Sequence, residues 1–165
     1  MLSMKKNKVY IIAEVGPNHQ GSLIKAKKYI SKLASIGVDA VKFQIGEAEE
    51  HYSLDSIKPE YQKKNIKNNL HVIKQAKKRL LKFKDHLVLA NECKKFKVDY
   101  ICSAFDLKSL KFLTKNINFP CYKIPSAEIV AMDCLNYIAK KNKPIILSTG
   151  MATKKEIEFA IKILN

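Results

Sequence analysis

Polar groups recur at the points where apolar runs stop. In chain order they are Glu14, Lys42 with Gln44, Ser103, Lys123 with Ser126 and Glu128, and Ser148 with Thr149. The densest case is the stretch from Cys121 to Glu128, which reads as a short strand that releases a cation, a hydroxyl and a carboxylate in quick succession. Pro125 cannot donate to a sheet ladder, so this strand is expected to end near Ile124. A lysine at the last strand position makes poor core, but it suits a grip on an anion at the carboxyl edge of a parallel sheet. For Lys123 alone, the competing reading is a side chain that simply reaches solvent. The recurrence of the pattern at other strand ends favours the site.

Gathered at one mouth, Lys42 and Lys123 supply point charge, and the hydroxyls of Ser103, Ser126 and Ser148 fix oxygens by hydrogen bonds. That chemistry fits a compact ligand carrying phosphate and carboxylate together. Glu14 is then the candidate acid or base, its pKa open to tuning by burial and by the neighbouring lysines. Other readings stay open. Glu14 could serve a helix dipole or pair with a lysine. Lys42, inside an otherwise apolar strand, needs a partner such as Glu14 or Glu128. Ser103 and Ser148 could merely cap turns. His19 follows Asn18 in a tight turn, where an orienting hydrogen bond competes with catalysis. His51, His71 and His86 lie away from the strand ends and read as solvated.

The elements that must position these groups alternate between strand and helix. The expected strands are Val9–Ala13, Val38–Gln44, Tyr100–Phe105, Pro120–Ile124 and Pro144–Leu147. Ser22 reads as an N-cap for a helix burying Leu23, Ala26, Ile30, Leu33 and Ala34, with Gly37 at its left-handed C-terminal position. A polar segment from Gly46 to Asn69 lacks clear periodicity, and a basic helix over Leu70–Phe83 and another over His86–Phe96 follow it. Asp106 caps a helix bearing Leu107, Leu110 and Leu113, and a further helix is expected near Met132–Lys141. Thr153-Lys154-Lys155-Glu156 matches a capping box that opens the last helix.

Successive βα units with short return loops imply a parallel sheet with right-handed crossovers. Either a doubly wound sheet or part of a (β/α)8 barrel satisfies that pattern. Neither GxGxxG nor GxxxxGK[ST] occurs, which counts against the nucleotide-binding open sheet. Polar groups at the carboxyl end of every strand favour the barrel. The expected fold class is therefore α/β, with parallel β/α units of a TIM barrel that is incomplete, about five of eight strands.

Composition excludes several classes. The chain has 165 residues, 47% of them hydrophobic, enough for one domain with a real core. No apolar run approaches the about 18 residues of a membrane span, and the short basic start lacks the pattern of a secretory signal. Cys93, Cys102, Cys121 and Cys134 form no CxxC pair and read as buried thiols in a reducing cytoplasm. The net charge of +16 raises nucleic acid as a partner, but Arg79 is the single arginine and the lysines spread over nearly every helix. Nucleic acid is therefore not the expected partner. Attraction of small anions is the more natural consequence.

The segment from Ile11 to Ser22, IIAEVGPNHQGS, is similar to the opening signature of the sialic acid synthase family. That family includes N-acetylneuraminate, legionaminic and pseudaminic acid synthases. Val38–Gln44 resembles its second strand, Tyr122–Glu128 its fourth and Ile145–Met151 its fifth. The resemblance implies a (β/α)8 barrel, a cytoplasmic transferase of sialic acid biosynthesis. It condenses phosphoenolpyruvate with an N-acetylmannosamine-type sugar, an acylated amino sugar, giving a nonulosonic acid and phosphate. By the same resemblance Lys42, Lys123, Ser103, Ser126 and Ser148 hold the enolpyruvate carboxylate and phosphate. Glu14 lies beside the acceptor, and Glu128 is a second acidic catalytic position. A divalent metal, Mn or Mg, is implied for the complete enzyme, with histidine ligands from later strands not in this chain. A homodimer is implied as well.

Two departures stand out. Ser103-Ala104-Phe105 replaces the family's Thr-Pro-Phe, keeping the hydroxyl and losing the proline. The family's sugar-contacting asparagine has only Gln62, Asn65 or Asn68 as counterparts. Residues 1–165 are thus expected to be the N-terminal part of a synthase barrel, with a long insertion at about 46–83 and without the C-terminal barrel half or small C-terminal domain. A second chain could complete the barrel, and inactivity alone is expected. The alternatives are another phosphoenolpyruvate-using 2-keto sugar acid synthase or aldolase-type barrel, and a non-catalytic basic binding module.

Overall fold

The strands form where β-branched and aromatic residues alternate with residues that face the other way. In β2 (Ala40–Ile45), Val41, Phe43 and Ile45 are buried on one face, while Ala40, Lys42 and Gln44 occupy the opposite one. The computed structural model describes residues 9–52 and 72–165. The acceptor candidates Gln62, Asn65 and Asn68, His71, and the side chain of His51 lie outside the described residues.

The five strands, β1 (Ile12–Glu14), β2, β3 (Asp99–Ala104), β4 (Tyr122–Ile124) and β5 (Ile145–Leu147), are parallel and lie in the order β1-β2-β3-β4-β5. Sequential order with helical crossovers is the arrangement of one half of a β/α barrel. Four of the strands start later than the apolar runs suggest, and β3 starts one residue earlier. Ile11, for example, is engaged by Asp39, whose carboxylate accepts the Ile11 N–H at 2.8 Å. In compensation β1 runs on to Glu14, which stands level with Lys42.

The helices are α1 (Leu23–Ser35), α2 (Ala48–His51), α3 (Val72–Arg79), α4 (Phe83–Lys95), α5 (Leu107–Asn116), α6 (Met132–Ala139) and α7 (Lys154–Leu164). Their starts follow the expected caps. Ser22 accepts from Lys25 N–H, Asp106 from Ser109 N–H, and Thr153 and Glu156 form a reciprocal capping box. Gly37 takes φ +85° just after α1, as a left-handed cap requires. The basic helix expected over Leu70–Phe83 stops at Arg79. A new helix begins because the Asp85 carboxylate accepts the Lys82 N–H at 3.0 Å, and Leu81 is buried in the break.

The main core lies between the helices and one face of the sheet. Val41, Phe43, Tyr100, Cys102, Tyr122 and Ile124 meet Ala26, Ile30, Leu89, Leu113, Leu135 and Ala160 there. On the other, inner face a small cluster of Ala40, Ile101 and Cys121 packs with Tyr10, Ile12 and Ile146. All four cysteines are buried free thiols. Among the described residues no helix is long and apolar enough to cross a membrane.

His86 corrects an expectation, since it is fully buried rather than solvated. It lies on the inward stripe of α4 with Leu89 and Cys93, and its Nδ1 is 2.7 Å from the Tyr100 hydroxyl. A phenol delivered by β3 allows an imidazole to occupy a core position.

Candidate active site

Strand alternation and register place the candidate groups. Tyr122 and Ile124 face the helices, so Lys123 between them points to the inner face. The same alternation puts Glu14, Lys42, Gln44 and Ser103 on that face. In register Glu14 lies opposite Lys42, Gln44 opposite Ser103, and Ser103 opposite Lys123. The Ser148 N–H donates to the Ile124 carbonyl at 3.1 Å, so Ser148 extends the β4–β5 ladder just beyond Leu147.

The side chains form two sets. Lys42 pairs with the Glu14 carboxylate and reaches Ser103 Oγ at 3.5 Å. Gln44 Nε2 donates to Glu14 Oε1 at 3.1 Å. Lys123 Nζ donates to Ser148 Oγ at 2.7 Å and to the Ile124 carbonyl at 2.6 Å. The Lys42 side chain is 14% exposed and that of Glu14 43%, so the cation is the withdrawn member of the pair. An anion arriving from solvent therefore meets an ammonium already stripped of most of its water.

Burial pushes the Lys123 ammonium down to about 8, with the nearby Lys42 charge as the next cause and Glu14 opposing. The two lysines thus act on one another from the same face of the sheet. The Glu14 carboxylate, paired with Lys42, offsets part of that repulsion.

Two glycines fix the rim. Gly16 has φ +49°, and a Cβ there would come within 3.0 Å of Glu14 Oε1 and 3.3 Å of Gln44 Nε2. Gly21 has φ +73°, and its Cβ would fall 2.3 Å from the Lys78 carbonyl oxygen, so the β1–α1 loop abuts the end of α3. Between these glycines His19 is buried and its Nδ1 accepts the Gly21 N–H at 3.1 Å. Burial lowers its pKa, and it serves as a loop-orienting group. Asp106 does more than cap α5. Its Oδ2 also accepts the Glu47 N–H at 2.9 Å and so ties the β2–α2 loop to the end of β3.

Ser126 and Glu128 fall in a 3-10 turn after β4. Ser126 Oγ lies 3.5 Å from the Cβ position of Gly150, against the loop after β5. Glu128 lines a different hollow, of about 590 Å³, with Asp106, Lys108, Lys111 and Asp133. Burial, then Asp133 and Asp106, raise its carboxyl pKa. The structure thus places Glu14, Lys42, Ser103, Lys123 and Ser148 on one face of the sheet, in two sets of contacts, and groups Glu128 with other carboxylates. Sequence reasoning overlooked Gln44 as the partner of Glu14, although the two-residue spacing from Lys42 already put it on the inner face.

Fold and site together define part of a parallel β/α barrel with a cationic mouth. The chain belongs to the NeuB family, which matches residues 29–165. It is 41% identical to the N,N'-diacetyllegionaminic acid synthase of Campylobacter jejuni over 157 residues, covering 95% of this chain and 47% of that protein. It is 35% identical to the N-acetylneuraminate-9-phosphate synthase of Drosophila melanogaster, covering 95% of this chain and 42% of that one. The crystal structure of a sialic acid synthetase from Leptospira borgpetersenii, in complex with citrate, superposes with a TM-score of 0.79 at 28% identity. That alignment covers 96% of this chain and 50% of that one. The chain spans about half the length of the relatives it matches or less.

Proposed function

We propose that this chain forms the phosphoenolpyruvate-holding half of a synthase that makes a nonulosonic acid. In the proposed reaction C3 of phosphoenolpyruvate bonds to the aldehyde carbon of an open-chain acylated amino sugar. Water adds at C2, and phosphate leaves. The observation that carries the reading is the pair of inward lysines, each within reach of a serine hydroxyl, Lys42 with Ser103 and Lys123 with Ser148. Phosphoenolpyruvate offers a carboxylate and a phosphate on one small frame, which matches two separate cations better than one. Ser126 completes the grip from the turn after β4.

Glu14 is assigned to the acceptor side, where Gln44 orients its carboxylate. Glu128 is assigned as the second acidic group. Burial and the neighbouring Asp133 and Asp106 charges raise its pKa, in the direction that suits a proton donor. Among the described residues no three His, Cys, Asp or Glu side chains converge to hold a metal ion. They supply no ligand set for the Mn or Mg ion that the family resemblance implies, and no step here runs through it. A second segment or chain closing the sheet, a homodimer and a cytoplasmic location complete the proposal. The location rests on the four reduced, buried thiols.

Calorimetric titration of the chain with phosphoenolpyruvate tests the central point. Saturable binding that is lost in both Lys42→Met and Lys123→Met is the expected result, without turnover by this chain alone. Equal binding by the unaltered chain and the double variant would remove the basis of the assignment. Steep salt-dependent binding of DNA with no response to phosphoenolpyruvate would favour a basic binding module instead.

A further inference from the structure

A hollow of about 710 Å³ opens on the helix side of the sheet, between α4 and the connection from α5 to β4. It lies at the amino-terminal ends of the strands, where Val98 leads into β3, whereas Ser103 and the lysine mouth stand at the other end. Leu87, Val98 and Ile117 give it an apolar floor, and Asn91, Lys94 and Lys97 form an exposed polar rim. Leu87, Asn91 and Lys94 recur at spacings of 4 and 3, so a single face of α4 carries all three. Asp99 also reaches the wall, but strand alternation turns its side chain to the inner face, where the carboxylate accepts from the Tyr10 hydroxyl. The rim is therefore cationic. Asn91, Lys94 and Lys97 make no side-chain hydrogen bond or ion pair with any described residue. The carbonyls at the end of α4 are already taken, because the Lys97 N–H donates to Lys94 at 3.2 Å and the Val98 N–H to Cys93 at 3.1 Å. Lys97 holds φ +57° in this cap, the left-handed position that Gly37 fills after α1. A lysine there carries a backbone cost that glycine would avoid, and strain of this kind gathers where a side chain has a task.

We propose that this hollow is a second binding site, separate from the mouth, for a small aromatic acid. The flat apolar body lies on Leu87, Val98 and Ile117, and the acid group meets the two ammonium groups of Lys94 and Lys97. The Asn91 carboxamide donates to a further oxygen of the same group. The size suits such a ligand, since small-molecule sites run from a few hundred to about a thousand Å³. Two lysines beside an apolar floor match one acid group on an apolar body, and the carboxylate that would oppose it is already engaged elsewhere. Lying at the opposite end of the strands from Lys42 and Lys123, the hollow is an effector site and no part of the reaction centre. The assignment stands independently of the synthase reading.

Fluorescence titrations of the full chain with two dyes test this. One is 8-anilinonaphthalene-1-sulfonate, an aromatic acid that brightens in apolar surroundings, and the other is its uncharged counterpart N-phenyl-1-naphthylamine. Saturable binding of the sulfonate, about tenfold tighter than the neutral dye, is expected, as for one charge-assisted contact. Lys94→Gln and Lys97→Gly should each weaken sulfonate binding about tenfold and leave the neutral dye unaffected. Lys97→Gly should at the same time raise the urea midpoint, because glycine relieves the left-handed backbone. Weaker binding by a more stable protein is a combination that a merely structural role for Lys97 does not produce. Lys123→Met should leave sulfonate binding unchanged. No saturable binding, equal affinity for the two dyes, or sulfonate binding that survives either rim variant overturns the proposal. A lowered midpoint in Lys97→Gly also overturns it, since the loss of binding is then structural. So does loss of sulfonate binding in Lys123→Met, which would put the anion in the mouth.

Discussion

Lys123 and Ser148 meet across the β4–β5 ladder, Nζ to Oγ at 2.7 Å, with both groups on the inner face of the sheet. The hydroxyl can accept from the ammonium and still donate to an oxygen of a bound anion. Ser148→Ala is expected to weaken phosphoenolpyruvate binding about tenfold, as for loss of one hydrogen bond to a charged group. Lys123→Met should cost more, about a hundredfold or beyond, because the charge goes with the donor. Calorimetric dissociation constants for the two variants check the order.

The depressed Lys123 pKa sets a pH dependence with a definite sign. The ammonium is half charged at about pH 8, mostly charged below that and mostly neutral above it. Anion affinity should therefore be level through neutral pH and fall as pH rises past that value. Lys123→Arg should flatten the profile, because a guanidinium does not deprotonate in this range. Titrations from neutral to alkaline pH, in the parent and this variant, provide the measurement.

His86 makes an opposite prediction at low pH. Burial, with His19 as the lesser cause, pushes its pKa down to about 4. Between the ordinary histidine value and that figure the unfolded chain binds a proton that the folded chain refuses. Stability should therefore fall as pH drops from about 6.5 through about 4, by up to about 3 kcal/mol for the full shift. In His86→Gln the slope of urea midpoint against pH should be shallower, whatever the absolute loss from disturbing the Tyr100 contact.

Gly21 and Gly37 separate two effects of a methyl group. Both have positive φ, +73° and +85°, but a Cβ on Gly37 meets open space while one on Gly21 runs into the Lys78 backbone at 2.3 Å. Gly37→Ala should lose about 1 kcal/mol, the cost of a left-handed backbone. Gly21→Ala should lose clearly more, because α3 must move. Paired urea denaturation curves distinguish the outcomes.

Much of this was legible in the chain itself. Pro125 after Ile124, Ser22, Asp106 and the Thr153–Glu156 box each mark a boundary by local chemistry, and these boundaries stand in the structure. The barrel order followed from the repetition of βα units and from polar groups at every strand end. What local chemistry did not carry was cross-chain pairing. That Lys42 chooses Glu14 over Glu128 depends on β1 lying beside β2, a long-range fact. His86 looked solvated because its partner, Tyr100, belongs to a different element. The turn that sends Glu128 towards Asp106 and Asp133 likewise depends on how α5 and α6 pack.

The excursion that leaves β2 at Gly46 is pinned at both ends. Asp106 takes the Glu47 N–H where it departs, and Gly21 presses on the Lys78 carbonyl where it returns. Two such anchorages insulate the lysine pair from whatever sequence runs between them.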